Sequence, residues 1–133
     1  DANIDGFVEE SLRWASPVRH FVRTAVEDYQ LDGRLIPKNE SVALWYPSGN
    51  RDENVFTESQ KFNISRSPNK HVSFGHGAHL CLGQHLARME IRSLFKELLA
   101  RADAIRLTDQ PRYTHTAFVG GLKSLPIKLS KTI

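Results

Sequence analysis

Between Asp5 and Trp14 apolar residues recur at helical spacing, at Phe7, Val8, Leu12 and Trp14. Asp5 is placed to cap this helix, Glu9 and Glu10 stand toward its positive end, and Pro17 ends it. From Phe21 to Tyr46 the pattern shortens to two β-rich runs, FVRTAVEDYQL and SVALWYP, separated by turn signals at Asp32-Gly33 and Pro37-Lys38-Asn39. That spacing predicts a small antiparallel sheet. Residues 47–73 are polar, rich in Ser, Asn, Asp and Pro, and poorly periodic, with one helical turn expected around Glu53 to Phe56. A connection of that length is unusual in a compact domain, so it is either disordered or shaped by function.

The strongest periodicity follows Gly83. Leu86, Met89, Leu94, Phe95, Leu98, Leu99 and Ala102 predict a long amphipathic helix, with Arg88, Arg92, Lys96 and Glu97 toward water. The tail RYTHTAFVGGLKSLPIKLS reads as two strands around Gly120-Gly121, with Pro126 confining the last to an edge.

Composition narrows the class without changing this outline. The chain has 133 residues, 40% hydrophobic and 25% charged, which sets one globular domain as the ceiling. A chain of this size buries roughly 65–70% of its unfolded surface, so a core forms without metal or disulfide staples. No apolar run approaches a membrane span and no leader opens the sequence, so a soluble protein with no membrane partner is expected. The net charge of +3 is spread among alternating signs, which argues against nucleic acid. The single cysteine, Cys81, cannot form an internal disulfide and fits a reducing compartment, the cytoplasm.

Gly75, Gly77 and Gly83 flank Cys81 just before the long helix, and a helix N-terminus favours an anionic sulfur. Several readings stay open at this point. A lone cysteine is often simply buried. A zinc site would draw on His71, His76, His79, Cys81 and His85, whose spacing fits neither the finger nor the HExxH pattern. The C-x-x-C-H of c-type haem attachment is absent, and a nucleophilic cysteine would need a histidine and an acid nearby in space. The remaining reading is a thiolate ligand to haem iron.

The stretch FGHGAHLCLGQHLAR resembles, nearly position for position, the cysteine-loop signature F-x-x-G-x-[HR]-x-C-x-G of the cytochrome P-450 superfamily. Glu10-Ser11-Leu12-Arg13 is similar to the family's E-x-x-R helix motif, and Arg51-Asp52 after Gly49-Asn50 resembles its NRD. An isolated Glu/Arg pair at i, i+3 is worth only about a few tenths of a kcal/mol on a surface helix. In order with the cysteine loop it gains weight.

The resemblance implies a mainly α fold with a small antiparallel β region (α+β), the C-terminal part of the family's fold. Residues 1–133 would form an incomplete single domain: E-x-x-R helix, β region, meander, cysteine loop, long helix and C-terminal hairpin. The start at Asp1 agrees with a longer parent. The family's acid-threonine helix for oxygen activation has no counterpart here, so the isolated chain is expected to be inactive.

Cys81 would then be the axial ligand of haem b, with Phe74 beside the sulfur and Gly75, Gly77 and Gly83 letting the loop approach the macrocycle. His79 and Arg23 would pair with haem propionates. Glu10 and Arg13 would form a buried ion pair with a third cation, for which Lys61 and His71 are the candidates. Histidines 71, 76 and 85 otherwise read as loop or surface residues. Val18, Phe21, Phe118 and Val119 are candidate substrate contacts. A stripe of Arg88, Arg92 and Lys96 would receive an acidic ferredoxin-type electron donor. The activity implied for the parent is insertion of one oxygen atom from O2 into a hydrophobic small molecule, terpene- or steroid-like. The alternatives are a catalytically incomplete haem-binding fragment and a haem-free interaction module.

Overall fold

A computed structural model of the chain describes residues 3–131. Helix α1 spans Ile4–Ala15, and its cap is Asn3, not Asp5: the Asn3 side chain accepts the Gly6 N–H at 2.9 Å and donates to the Ile64 carbonyl at 2.9 Å. Asp5 lies one residue inside the helix, and Glu9 and Glu10 face tertiary partners rather than the helix end. Ser16 closes α1 in the left-handed region, φ 39°, returning its N–H to the Leu12 carbonyl one residue before Pro17. Val8 and Leu12 are buried as the apolar pattern requires, and so are Glu10 and Arg13. Two charged residues thus sit on the inward face.

The predicted single sheet is instead a set of two-stranded ribbons. Strand β1 (His20–Thr24) pairs with β4 (Ser41–Trp45), and β2 (Tyr29–Leu31) with β3 (Arg34–Ile36). Asp32 and Gly33, at φ 47° and 75°, close the β2–β3 hairpin with the positive φ values that a two-residue turn between twisted strands favours. The end of SVALWYP leaves the sheet, because Tyr46 and Pro47 open a short helix α2, Tyr46–Gly49.

Residues 50–73 carry a helical turn where one was expected, with the Phe56 N–H on the Asp52 carbonyl at 2.8 Å. Side chains tie this stretch to α1 and close its ends. Asn50 donates to Ser16 Oγ and Ser73 Oγ at 2.8 and 2.9 Å and accepts the Val72 N–H at 2.7 Å. Phe62 packs edge-on against Phe7 and Trp14.

Helix α3, Gln84–Arg101, lies against α1 through Phe95, whose ring centre is 4.6 Å from that of Phe7. Its cationic side is not simply solvated: Arg88 and Arg92 point at Glu9 and Asp5 of α1. Leu86, Met89, Leu94 and Leu99 of the same helix are exposed. In the tail, β6 (Arg112–Tyr113) and β7 (Leu122–Ser124) flank Gly120-Gly121 as expected. The last strand, β8 (Ile127–Ser130), runs back to pair with β5 (Ala104–Leu107). Among the described residues no helix is long and apolar enough to cross a membrane.

Candidate functional site

Gly75 and Gly77, at φ 76° and 73°, bend the chain into the left-handed region where other L-residues are strained. A Cβ on Gly75 would also stand 3.1 Å from Tyr46 Oη. Between these bends and α3, a single 3₁₀ turn, Gly77–His79, is closed by the Leu80 N–H on the Gly77 carbonyl, and the Cys81 N–H donates to the Phe74 carbonyl at 2.9 Å. Gly83 differs from the other two. Its φ of −82° suits any residue, and it stands as the N-cap of α3 with open space where a Cβ would be.

This loop leaves Cys81 exposed, which removes the buried-cysteine reading. The residue lines a cavity of about 310 Å³ together with Phe74, His79, Val18, Phe21 and Tyr46. A second cavity of about 220 Å³ adjoins it at Phe21 and His79 and adds Arg23. Residues from α1's exit, β1 and the cysteine loop, 63 positions apart at Val18 and Cys81, therefore share one wall. Phe118 and Val119 stand behind that wall: the Phe118 ring centre is 5.6 Å from that of Phe21, and Val119 bridges Val18.

His79 shares the cavity wall with Cys81, but the other candidate histidines do not join it. His71 Nε2 donates to Glu9 Oε2 at 3.1 Å, while His76 and His85 are exposed. Among the described residues no three His, Cys, Asp or Glu side chains converge on a metal-sized site. One sulfur on an open, apolar-walled cavity, with Arg23 and His79 at its edge, suits a flat apolar group that carries a metal needing one axial ligand and anionic substituents needing cations. Haem b has these features, and the residues fit it.

Behind the loop, Arg13 and Glu10 form the expected pair, but its third cation is Arg66. Arg66 Nε lies 3.1 Å from Glu10 Oε2. Lys61 contributes only its carbonyl, its ammonium pairing with Glu58, and His71 is engaged by Glu9. Burial pushes the Glu10 carboxyl up, yet hydrogen bonds from Arg13, the Asn63 amide and Arg66 outweigh it and hold the group at about 2. Arg66 stands in SRSP, five residues beyond Lys61, and no local pattern marks it as a partner of Glu10. Asn50 was visible in the GNRD run, but nothing local revealed its three partners.

The supposed docking stripe on α3 is also altered. Arg88 Nε and Nη2 donate to Glu9 Oε1 and Oε2 at 2.6 and 3.0 Å, and Arg92 Nε donates to Asp5 Oδ1 at 2.6 Å. The Arg88 side chain is only 24% exposed, so it is not a free surface cation.

A cysteine loop opening on such a cavity, backed by a buried E-x-x-R pair, defines a haem-thiolate protein. The family described as Cytochrome P450 matches residues 4–130, and the chain belongs to it. Haem b is the cofactor of that family. Cytochrome P450-terp from a Pseudomonas species is 46% identical over 130 residues, covering 98% of this chain and 30% of that protein. Linalool 8-monooxygenase from Pseudomonas putida is 43% identical over 120 residues, covering 90% of this chain and 30% of that protein. Among solved structures, P450BioI in complex with hexadec-9Z-enoic acid ligated acyl carrier protein superposes with a TM-score of 0.94 at 41% identity, covering 96% of this chain and 34% of that one. The chain spans about 30% of the length of these curated relatives.

Proposed function

We propose that these residues are the haem-binding C-terminal portion of a longer monooxygenase that inserts one oxygen atom from O2 into a hydrophobic small molecule. The observation that carries the reading is the shared cavity of Cys81, Phe74 and His79 with Arg23 adjoining it. Cys81 Sγ would ligate the haem iron, and Arg23 and His79 would hold the propionates. Phe74, with Gly75, Gly77 and Gly83, would let the loop lie close against the macrocycle. When bound, the haem supplies activation of O2 at its iron. The chain's own residues hold and orient it: the loop fixes the sulfur, the apolar wall excludes water, and the Glu10-Arg13-Arg66 cluster holds the loop's backing in place.

Similarity to linalool 8-monooxygenase and to a methyl-branched lipid omega-hydroxylase supports a terpene- or lipid-like substrate. Val18 and Phe21 would meet it on the cavity wall, with Phe118 and Val119 at the hairpin tip behind them. Electrons would come from a ferredoxin-type donor on the outer side of α3, where Lys96 is exposed, while Arg88 and Arg92 are held by Glu9 and Asp5. The unpaired Cys81 supports a cytoplasmic setting. The 133 residues alone would bind haem at most and would not turn over.

Reduced full-length protein with CO tests this. A red-shifted thiolate band that disappears in Cys81→Ala is the expected result. An identical spectrum in the mutant overturns the assignment, and absence of any haem in the purified protein leaves the interaction-module reading.

A further inference from the structure

Among the described residues, two ion pairs join α1 to α3, and one of them touches the cysteine loop. The Arg92–Asp5 pair is the more exposed of the two, its carboxylate 74% open to solvent. The Arg88–Glu9 pair is less exposed and more fully engaged. Its guanidinium is forked onto both carboxylate oxygens, and its remaining nitrogen, Nη1, donates to Gln84 Oε1 at 3.0 Å. The same carboxylate receives His71 Nε2, whose side chain is 2% exposed. The Ser73 N–H donates to His71 Nδ1 at 3.3 Å, which leaves the ring proton on Nε2, facing Glu9.

So held, Arg88 places its guanidinium carbon 4.7 Å from the centre of the Phe74 ring. Phe74 lines the Cys81 cavity, and its carbonyl accepts the Cys81 N–H at 2.9 Å. A continuous set of contacts thus runs from Glu9 through Arg88 and Phe74 to the backbone of Cys81. A cation over an aromatic face fixes the ring's tilt as well as its distance.

We infer that Arg88 is a positioning residue for Cys81: clamped by Glu9 and His71, it sets the orientation of Phe74 and so the direction in which the thiol leaves the loop. The inference rests on the haem-thiolate reading above. It gives the first cation of the α3 stripe an inward task. A lysine there would keep the charge against Glu9 but lose the planar fork that covers the ring.

The test compares Arg88→Gln with Arg92→Gln in the full-length, haem-loaded protein. Both break an α1–α3 ion pair, and only the first uncovers Phe74. Arg88→Gln is expected to convert about threefold to tenfold more of the reduced CO complex to the form lacking the thiolate band, and to shift the iron midpoint potential. Arg92→Gln is expected to match wild type in both readouts. Equal spectra and potentials in the two variants overturn the positioning role. If Arg88→Gln does not accumulate as folded protein, Arg88→Lys against Arg92→Lys reads the same contrast, with a smaller shift in the same direction expected and none overturning it. A wild-type protein without a thiolate band defeats the haem reading instead, which separates the two failures.

Discussion

Arg13 and Glu10 face each other across one turn of α1 with both side chains fully withdrawn from solvent, Nε 2.8 Å from Oε2 and Nη2 2.7 Å from Oε1. All five guanidinium N–H groups find acceptors, the other three going to the Asn50, Ser59 and Lys61 carbonyls. The pair therefore gathers the irregular stretch after α2 around one side chain. That stretch leads directly into the cysteine loop.

Removing one partner leaves the other buried and uncompensated. Arg13→Ala or Glu10→Gln should cost about 3–5 kcal/mol in the urea unfolding of the full-length protein. Arg13→Lys should recover less than half of this, because an ammonium has three donors and no fork. Full recovery by lysine would contradict the role of the carbonyl contacts.

Arg66, not Lys61, completes the cluster. Arg66→Ala should destabilise by about 1–3 kcal/mol, because the buried Glu10 loses one of its donors. Lys61→Ala, which breaks an exposed pair with Glu58, should fall within about 0.5 kcal/mol of wild type. Thermal melts of the two single variants decide between them, and the reverse order would reject the assignment.

Acid should unfold this region in a defined sequence. Burial, only partly countered by Glu9, holds His71 below its ordinary value of 6.5, so below that pH the unfolded chain takes up a proton the folded one resists, and stability starts to fall. Glu10, held at about 2 against an ordinary 4.5, contributes stability that is present above 4.5 and lost as pH drops toward 2. That contribution is about 3 kcal/mol. Urea midpoints measured from pH 7 downward should decline, and Glu10→Gln should flatten the part of the curve below pH 4.5. An unchanged slope in that variant would count against the linkage.

The two ends of the cysteine loop should respond differently to a methyl group. Gly75→Ala meets both a positive φ and Tyr46 Oη, and should cost about 1–2 kcal/mol or more. Gly83→Ala, with an ordinary φ and open space, should change apoprotein stability by less than about 0.5 kcal/mol. Differential scanning calorimetry of the apoproteins would show the difference, and equal losses would refute it.

Arg23→Ala should raise the rate of haem transfer to an apo-acceptor by about tenfold, since a charge-assisted hydrogen bond is worth about 1.5–3 kcal/mol. His79→Ala should act in the same direction. Unaltered transfer in both would remove the propionate assignment.

Much of the machinery was legible residue by residue. The long periodic stretch after Gly83 became α3, Asp32-Gly33 became a hairpin turn, and Glu10 and Arg13 fell one turn apart, because backbone preferences and the i, i+3 spacing of a helix are local properties. The glycines beside Cys81 likewise announced a loop with positive φ, though Gly83 did not need it.

What local patterns cannot encode is which distant group answers a buried charge. Arg66 reaches Glu10 across 56 positions and Arg88 reaches Glu9 across 79, so neither spacing leaves a trace in the sequence. Cationic spacing at Arg88 and Arg92 reads as a solvated face until the approach of α1 supplies two carboxylates. Local patterning sufficed for α1, α3, the β2–β3 turn and the thiol-bearing loop. The third cation behind the loop and the inward turn of Arg88 onto Phe74 depend on long-range packing, which brings desolvated ions within hydrogen-bonding distance.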